Sequence, residues 1–302
     1  MGDRVSGVFS HSRLSSFESC PKKFHYRYVL RVPSDSESIE QFVGKRVHEV
    51  LERLYIAVGK GLVPSLSQVL RRFQLLWDEN YDAERVRIAR PENSVGSYRG
   101  LGERGLSNYY RRFYPFEGGK TLDVERRVSF DLDDRGAYRM QGVIDRIVRA
   151  PDEAIEIHDY KTSRRMPSQQ TLDRDRQLAL YQIGVARIYG EERPIRLVWH
   201  YLLLDRIATS TRTPEQLDAL RAHTMGLIDR IREETAFEAR PSPLCGWCEY
   251  RDRCPAVGGR ADEEPVAKAD RATVEAPSTA PRNASHPSDP APTTAQLRLP
   301  FA

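Results

Sequence analysis

The first third of the chain repeats apolar residues at helical spacing. The pattern is clearest over residues 39–58, 66–80 and 98–113, and it also covers residues 12–30 apart from a break at Pro21. Apolar side chains that recur every three or four residues form the buried stripe of an amphipathic helix, whereas proline interrupts a helix. This part of the chain is therefore predicted to form a layer of helices.

The pattern changes near residue 121, where apolar and polar residues begin to alternate. In residues 121–132 the apolar positions alternate with acidic and polar ones such as Asp123 and Glu125. Strict alternation indicates a half-buried strand, and the segment 133–136 that follows is typical of a turn. Residues 137–149 are predicted to return as the partner strand of a hairpin.

The chain up to about residue 257 then mixes strands and helices. Residues 153–160 and 195–204 are predicted to be strands, and residues 170–188 and 213–234 to be helices. A run of helices followed by strands and helices in alternation indicates an α/β fold. We expect a mixed central β-sheet flanked by helices, with an N-terminal helical layer.

The last part of the chain differs in composition from the rest. Residues 258–302 are rich in Ala, Pro, Ser and Thr, and such a segment cannot bury enough apolar surface to offset the entropy of ordering. The sequence therefore predicts one ordered domain, residues 1–257, followed by a disordered tail, residues 258–302.

Hydropathy and charge limit the class of protein. No stretch approaches the roughly 18 apolar residues that a membrane span needs, and the first ten residues lack the apolar core of a signal peptide. A cytoplasmic protein without a membrane partner is expected. The net charge of +4 says little about partners, but arginine pairs such as Arg111–Arg112 and Arg164–Arg165 are compatible with a groove that follows a phosphate backbone. The oligomeric state stays open.

Two acidic residues and a lysine stand near the ends of predicted strands. Asp145 closes the sequence GVID, and Asp159 and Lys161 stand two apart in IHDYK. Residues two apart share one face of a strand, and antiparallel pairing would set Asp145 beside Asp159. Adjacent carboxylates repel unless a cation lies between them, and hard oxygen ligands suit Mg²⁺ or Mn²⁺.

These three residues predict a metal-dependent site for phosphodiester cleavage. The metal would polarise the phosphate and activate a water molecule, while Lys161 would stabilise the developing charge or help to position and deprotonate that water. The plainer alternative is that Asp159 and Lys161 form an ordinary ion pair at a strand edge and that Asp145 is a turn residue.

Three further polar residues stand on predicted helices. His48 lies on the most strongly patterned helix and is either an ordinary packed histidine or a nitrogen ligand of the same metal. Gln177 and Tyr181 are four apart, so they share one helix face.

The four cysteines form a second group of candidate ligands. Cys245, Cys248 and Cys254 lie within ten residues of one another, and Cys20 is remote in sequence. In a cytosolic chain such a group indicates a metal site before it indicates disulfides. Four thiolates suit either Zn²⁺ or a [4Fe–4S] cluster, and the spacing does not choose between them. Either centre would join the N-terminal helix to the C-terminal loop.

Taken together, these blocks resemble the PD-(D/E)xK nuclease superfamily. Within it the chain is similar to the iron–sulfur branch that includes RecB- and AddB-type nuclease domains and the CRISPR adaptation nucleases. The resemblance covers roughly residues 8–256. It rests on these blocks, in the order of the family: Ser12-x-Leu14-x2-Phe17-x2-Cys20-Pro21-x2-Phe24, Gly44-x3-His48-x2-Leu51-Glu52, Gly142-x-Ile144-Asp145-Arg146, Asp159-Tyr160-Lys161-Thr162, Gln177-x3-Tyr181 and Cys245-x2-Cys248-x5-Cys254-Pro255.

The resemblance implies a restriction-endonuclease-like core and a role for each matching residue. His48, Asp145 and Asp159 would be ligands of Mg²⁺ or Mn²⁺, and Lys161 would be the catalytic lysine. The Gln177-x3-Tyr181 block would contact DNA or support the active site. The four cysteines would hold a [4Fe–4S] cluster, with Zn²⁺ as the alternative.

The end of the chain carries a second resemblance. Gln296, Leu299 and Phe301 are spaced as in the short peptides with which bacterial repair proteins bind the DNA sliding clamp. Such a peptide at the end of a flexible tail would act as a tether and raise the local concentration of the protein at DNA.

The function that these observations predict is that of a metal-dependent deoxyribonuclease. The resemblance implies an exonuclease that acts on single-stranded DNA or DNA ends in repair or recombination. The chain lacks the G-x4-G-K-[ST] loop of a helicase motor, in contrast to the larger relatives. The alternative is a non-catalytic module that binds DNA ends within a larger repair complex.

Overall fold

The computed structural model describes residue 5 and residues 7–34 and 36–259. A π-helical turn, His25–Val29, follows the second helix, and short 3-10 turns occupy Leu202–Leu204 and the last part of the described chain. The strands and α-helices are β1 (Phe9–Ser10), α1 (His11–Ser19), α2 (Pro21–Phe24), β2 (Glu37–Ser38), α3 (Ile39–Gly59), α4 (Leu66–Asn80), β3 (Val86–Arg87), α5 (Val95–Phe113), β4 (Lys120–Asp131), β5 (Arg139–Arg149), β6 (Ile155–Lys161), α6 (Gln169–Leu172), α7 (Arg176–Tyr189), β7 (Ile195–Tyr201), β8 (Arg206–Ser210) and α8 (Pro214–Glu233).

A six-stranded mixed sheet lies at the centre of the fold. The long strand β5 pairs along one edge with β4, antiparallel and over its whole length. The other edge of β5 pairs with two strands: β1 pairs with the first residues of β5, and β6 pairs with its last residues. β7 lies parallel to β6, and β8 closes the sheet antiparallel to β7. The prediction of a mixed sheet flanked by helices is confirmed.

Two apolar cores lie on either side of this sheet. One core packs α1, α7 and α8 against strand residues such as Ile157 and Leu197. The other packs α3, α4 and α5 together and includes Tyr160 of β6. The second core is the N-terminal helical layer that the sequence predicts, and α3 begins in it with a capping box between Ser38 and Gln41.

The structure differs from the sequence prediction in several places, beginning with the short strands β1, β2 and β3, which were not predicted. The helix predicted over residues 170–188 is divided into α6 and α7, because Asp175 caps α7 by accepting a hydrogen bond from the Leu178 amide. The strand predicted over residues 195–204 ends at Tyr201. A turn at Asp205, which has a left-handed backbone with φ of 48°, then leads into β8, a strand that was not predicted.

None of the helices formed by the described residues is both long enough and apolar enough to cross a lipid bilayer. The residues of the predicted tail beyond Gly259 lie outside the described part, and so do Gln296, Leu299 and Phe301. The domain boundary at residue 257 and the cytoplasmic location therefore stay predictions.

Candidate metal centre and active site

The site begins where strands β5 and β6 stop pairing. Their ladder runs from Arg149 and Ile155 to Arg146 and His158 and goes no further. Beyond the end of this ladder, the Tyr160 amide donates a hydrogen bond of 2.7 Å to the side-chain Oδ2 of Asp145 instead of to a backbone carbonyl of β5. The Asp145 carboxylate is thus held at the fork between the two strands.

His48 of α3 reaches this fork from the helical layer. Its Nδ1 lies 3.4 Å from Oδ1 of Asp145, and its Nε2 lies 2.9 Å from the carbonyl oxygen of Tyr160. Burial lowers the pKa of His48, but the carboxylates of Asp145 and Asp159 and the Tyr160 carbonyl together outweigh burial and raise the pKa to about 9. The imidazole is therefore protonated without a metal, and a metal ion and a proton compete for this ring.

Asp159, Lys161 and Gln177 form a closed set of contacts beside the fork. Lys161 Nζ lies 2.7 Å from Oδ2 of Asp159 and donates a hydrogen bond of 3.1 Å to Oε1 of Gln177. Gln177 Nε2 in turn donates to Oδ1 of Asp159 at 3.2 Å. Burial raises the pKa of Asp159 to about 6, against the opposing effect of Lys161. Burial lowers the pKa of Lys161, but Asp159, with Asp145 and Asp175, outweighs burial and the pKa is raised.

Tyr181 lies one turn further along α7 and packs against β5. A Cβ atom added to Gly142 would overlap the ring of Tyr181, so the close approach of this ring to the strand requires glycine at position 142. The Gln177-x3-Tyr181 block therefore sets the distance between α7 and the strand that carries Asp145.

Glu125 also lies at the fork, although its sequence context marks it only as one of the polar positions of a half-buried strand. The rungs Val124–Arg146 and Arg126–Ile144 lie on either side of it, so Glu125 on β4 stands opposite Asp145 on β5. Its backbone is left-handed, with φ of 46°, which is strained for a residue with a Cβ atom. The register between the two strands of the hairpin is the signal that identifies it.

Glu125 joins His48 and Asp145 in a group of potential metal ligands. Ligand atoms of these three residues lie within 4.8 Å of one another, and no other such group occurs in the described part of the chain. Burial and the charge of Asp145 raise the pKa of Glu125 to about 7. A cation would relieve the repulsion between these carboxylates, and a ligand set of oxygen and imidazole nitrogen fits Mg²⁺ or Mn²⁺.

The four cysteines line a single cavity of about 220 Å³ next to the C-terminal end of α1, where Cys20 lies. Cys20 lies between α1 and α2. The backbone amides of Arg240 and Ser242 point to the sulfurs of Cys20 and Cys245, at 3.5 and 3.3 Å. No three of the four sulfurs lie within 4.8 Å of one another. A tetrahedral zinc site with Zn–S bonds of about 2.3 Å needs sulfurs about 3.8 Å apart, so this arrangement is wider than a zinc site.

Comparison with protein families identifies the architecture. The family model of the PD-(D/E)XK nuclease superfamily matches residues 8–255, which is most of the chain. The chain belongs to the PD-(D/E)XK nuclease superfamily. Nucleases of this superfamily use divalent metals, and the match spans every strand of the sheet and the residues around the fork.

Other comparisons show how far the sequence has diverged. No curated protein matches it. A crystal structure of a provisionally assigned exonuclease from Eubacterium rectale is 15% identical and has a TM-score of 0.48, over 86% of this chain and 91% of that one. The crystal structure of SSO0001 is 14% identical with a TM-score of 0.32, over 81% of this chain and 95% of that one. Likenesses at this level carry no argument about function.

Proposed function

We propose that this protein is a Mg²⁺- or Mn²⁺-dependent deoxyribonuclease. The observation that carries the proposal is the group of His48, Glu125 and Asp145 at the fork between β5 and β6, next to the Asp159–Lys161 ion pair, in a member of a nuclease superfamily. Asp159 is not part of that compact group. We further propose that it acts as an exonuclease on single-stranded DNA or DNA ends, in repair or recombination.

The proposed roles follow from the contacts of each residue. His48, Asp145 and Asp159 would hold the divalent metal, with Glu125 as a further ligand. When bound, the metal would polarise the scissile phosphate and lower the pKa of a water molecule. The ion pair with Asp159 keeps Lys161 charged, so Lys161 would stabilise negative charge and orient the water rather than accept its proton.

A nuclease assay tests this proposal directly. Single- and double-stranded DNA labelled at the 5′ or the 3′ end is incubated with the protein, with and without Mn²⁺ or Mg²⁺. We expect metal-dependent degradation, loss of at least a hundredfold in rate for Lys161→Ala, and an unchanged rate for Lys60→Ala, which alters an exposed lysine at the end of α3. A protein that binds DNA ends but cuts none of these substrates would instead be a non-catalytic module.

We also propose a [4Fe–4S] cluster held by Cys20, Cys245, Cys248 and Cys254. The shared cavity and the two amides directed at sulfur support it. Zn²⁺ is the alternative that the ligand chemistry allows. The cluster would join the α1–α2 junction to the C-terminal turns, and so would stabilise the fold rather than take part in cleavage.

The proposal of a sliding-clamp partner rests on the sequence alone. Gln296, Leu299 and Phe301 keep the spacing of a clamp-binding peptide, and they stand more than thirty residues beyond the last described residue, Gly259. A segment of that length would let the peptide bind the clamp while the nuclease domain reaches nearby DNA.

A further inference from the structure

A second cavity adjoins Lys161 on the side of the helical layer. It has a volume of about 620 Å³ and lies between α5 and the segment that follows β6. Its apolar wall includes Tyr98, Leu101 and Leu203, and Lys161 is one of its polar lining residues. Sites for small organic ligands have volumes of about 300 to 1,000 Å³ and mostly apolar walls. The cavity therefore has the size and lining to bind a ligand group beside the proposed active site.

Three arginines give this cavity an excess of positive charge. Arg164 and Arg165 follow Lys161 directly, and Arg90 comes from the loop before α5. No ion pair to these three side chains occurs among the described residues, although Arg90 also lies over the Trp247 ring, 5.6 Å from its centroid. Unpaired guanidinium groups beside a catalytic lysine favour a phosphate-bearing ligand.

Glu40 provides an acceptor within the same cavity. Its Oε1 accepts a hydrogen bond of 2.8 Å from the Tyr98 hydroxyl. Its Oε2 is buried and has no hydrogen-bond partner in the described structure. A buried carboxylate oxygen without a donor is costly, and a ligand with an N–H group would remove that cost.

We propose that this cavity holds one unpaired nucleotide of the DNA strand, next to the phosphodiester at Lys161. The phosphate lies on Arg164, Arg165 and Arg90, the base packs on the apolar wall, and a donor group of the base reaches Glu40. A base within the cavity cannot remain paired, so the cavity selects single-stranded or frayed ends. This inference rests on the proposed nuclease function for the placement of the DNA strand.

Binding of a mononucleotide tests the cavity without cleavage. Calorimetric titration with dCMP, at low salt and without added metal, is expected to show binding that weakens at least tenfold in the double variant Arg164→Ala and Arg165→Ala. The matched control is Arg135→Ala with Arg193→Ala, two exposed arginines in other loops, which should leave the affinity unchanged. Equal affinity in both double variants would overturn the proposal.

The role of the base is tested with a ligand that lacks one. The native protein is expected to bind dCMP at least tenfold more tightly than deoxyribose 5-phosphate. Glu40→Gln should reduce this preference several-fold, because the amide can still accept from Tyr98 but then has no second acceptor atom. Equal binding of both ligands by the native protein would show that the base does not enter the cavity.

Cleavage assays separate this inference from the proposed function. If the protein cuts single-stranded DNA and the Arg164/Arg165 double variant leaves KM unchanged, the nucleotide site is wrong and the nuclease proposal stands. If dCMP binds as expected but no DNA is cut, the nuclease proposal is wrong and the nucleotide site stands. A raised KM in the variant, with kcat nearly unchanged, is the result that we expect.

Discussion

Glu125 shows how a single residue can join a site through the register of a sheet. It stands opposite Asp145, its backbone is left-handed, and its carboxylate lies in one group with His48 and Asp145. Strained backbone persists where the surrounding structure holds it, and often where function requires it. The hairpin therefore places the carboxylate beside His48 and Asp145 at some cost in backbone strain.

Glu125→Gln is expected to weaken metal binding, because an amide replaces an anionic oxygen ligand. We expect the Mn²⁺ concentration for half-maximal nuclease activity to rise about tenfold, the order of loss for residues that support metal ligands. This concentration is measured by recording nuclease activity over a range of Mn²⁺ concentrations. The matched control is Glu117→Gln, an exposed glutamate in the loop before β4. A metal requirement that is unchanged in Glu125→Gln would remove Glu125 from the site.

Two buried histidines behind the site make the stability of the fold depend on pH. His158 Nδ1 lies 2.7 Å from Nε2 of His200 and 3.0 Å from Nη2 of Arg146. Burial and then Arg146 hold the pKa of His158 well below its usual value, and burial and then His158 do the same for His200. Both rings are therefore neutral in the folded protein near pH 6.

The sign of this effect is fixed by the lowered pKa values. Below pH 6.5 the unfolded chain takes up protons on His158 and His200 that the folded protein cannot accept, so the folded state loses stability as pH falls. At pH 5.5 the loss relative to neutral pH is on the order of 1 kcal/mol for each histidine. Between pH 7.5 and 5.5, the free energy of unfolding measured with urea should therefore fall less in His200→Gln than in the native protein. The control is His223→Gln, which alters an exposed histidine and should show the same fall as the native protein.

At the scale of elements, the contact between β5 and α7 sets the geometry of the site. β5 carries Asp145, and α7 carries Gln177, which bridges Asp159 and Lys161. The two elements touch where the Tyr181 ring lies on Gly142. A change at this contact therefore moves Gln177 relative to the fork.

Gly142→Ala tests this contact because the added methyl group would overlap the Tyr181 ring. We expect a loss in the free energy of unfolding of about 1–3 kcal/mol, as for other overpacked positions, together with a fall in kcat. Gly226→Ala in α8 is the matched control, because a Cβ there meets open space and should stabilise the helix slightly. Equal effects of the two substitutions on unfolding would contradict this account.

At the scale of the whole molecule, the four cysteines come from the two ends of the described chain and line one cavity. Cys20 comes from the α1–α2 junction, and the other three come from the last turns before Gly259. The 3-10 turns that carry them have no buried residues, and Tyr250 between two of the turns is the one buried residue of this segment, so apolar packing contributes little beyond that ring. A metal centre would supply the missing free energy.

Removal of one cysteine tests the cluster and its structural role together. Protein purified without oxygen is expected to be brown, to contain iron, and to lose both properties in Cys245→Ser, with a lower unfolding temperature. Leu244→Ala, which alters the exposed neighbour in the same turn, should remain brown. A colourless native protein with stoichiometric zinc would show that the centre is a zinc site.

Local sequence alone determined much of this protein. Helical and alternating periodicity predicted the main elements, because burial of one face imposes a fixed spacing on apolar residues. The two-residue spacing of Asp159 and Lys161 placed both on one strand face, where they form their ion pair. The strand β8 was missed because it is short and follows a turn at Asp205 that contains neither Gly nor Pro.

Only the tertiary structure decided which remote residues meet. Nothing near Glu125 or Glu40 in sequence distinguishes them from other surface glutamates, yet strand register sets one beside Asp145 and helix packing sets the other in the cavity at Lys161. The four cysteines were recognisable as ligands from the sequence, but the distances between their sulfurs depend on how the two ends of the chain pack. Spacing along a chain fixes which face a side chain takes, whereas contacts across elements depend on the whole packed fold.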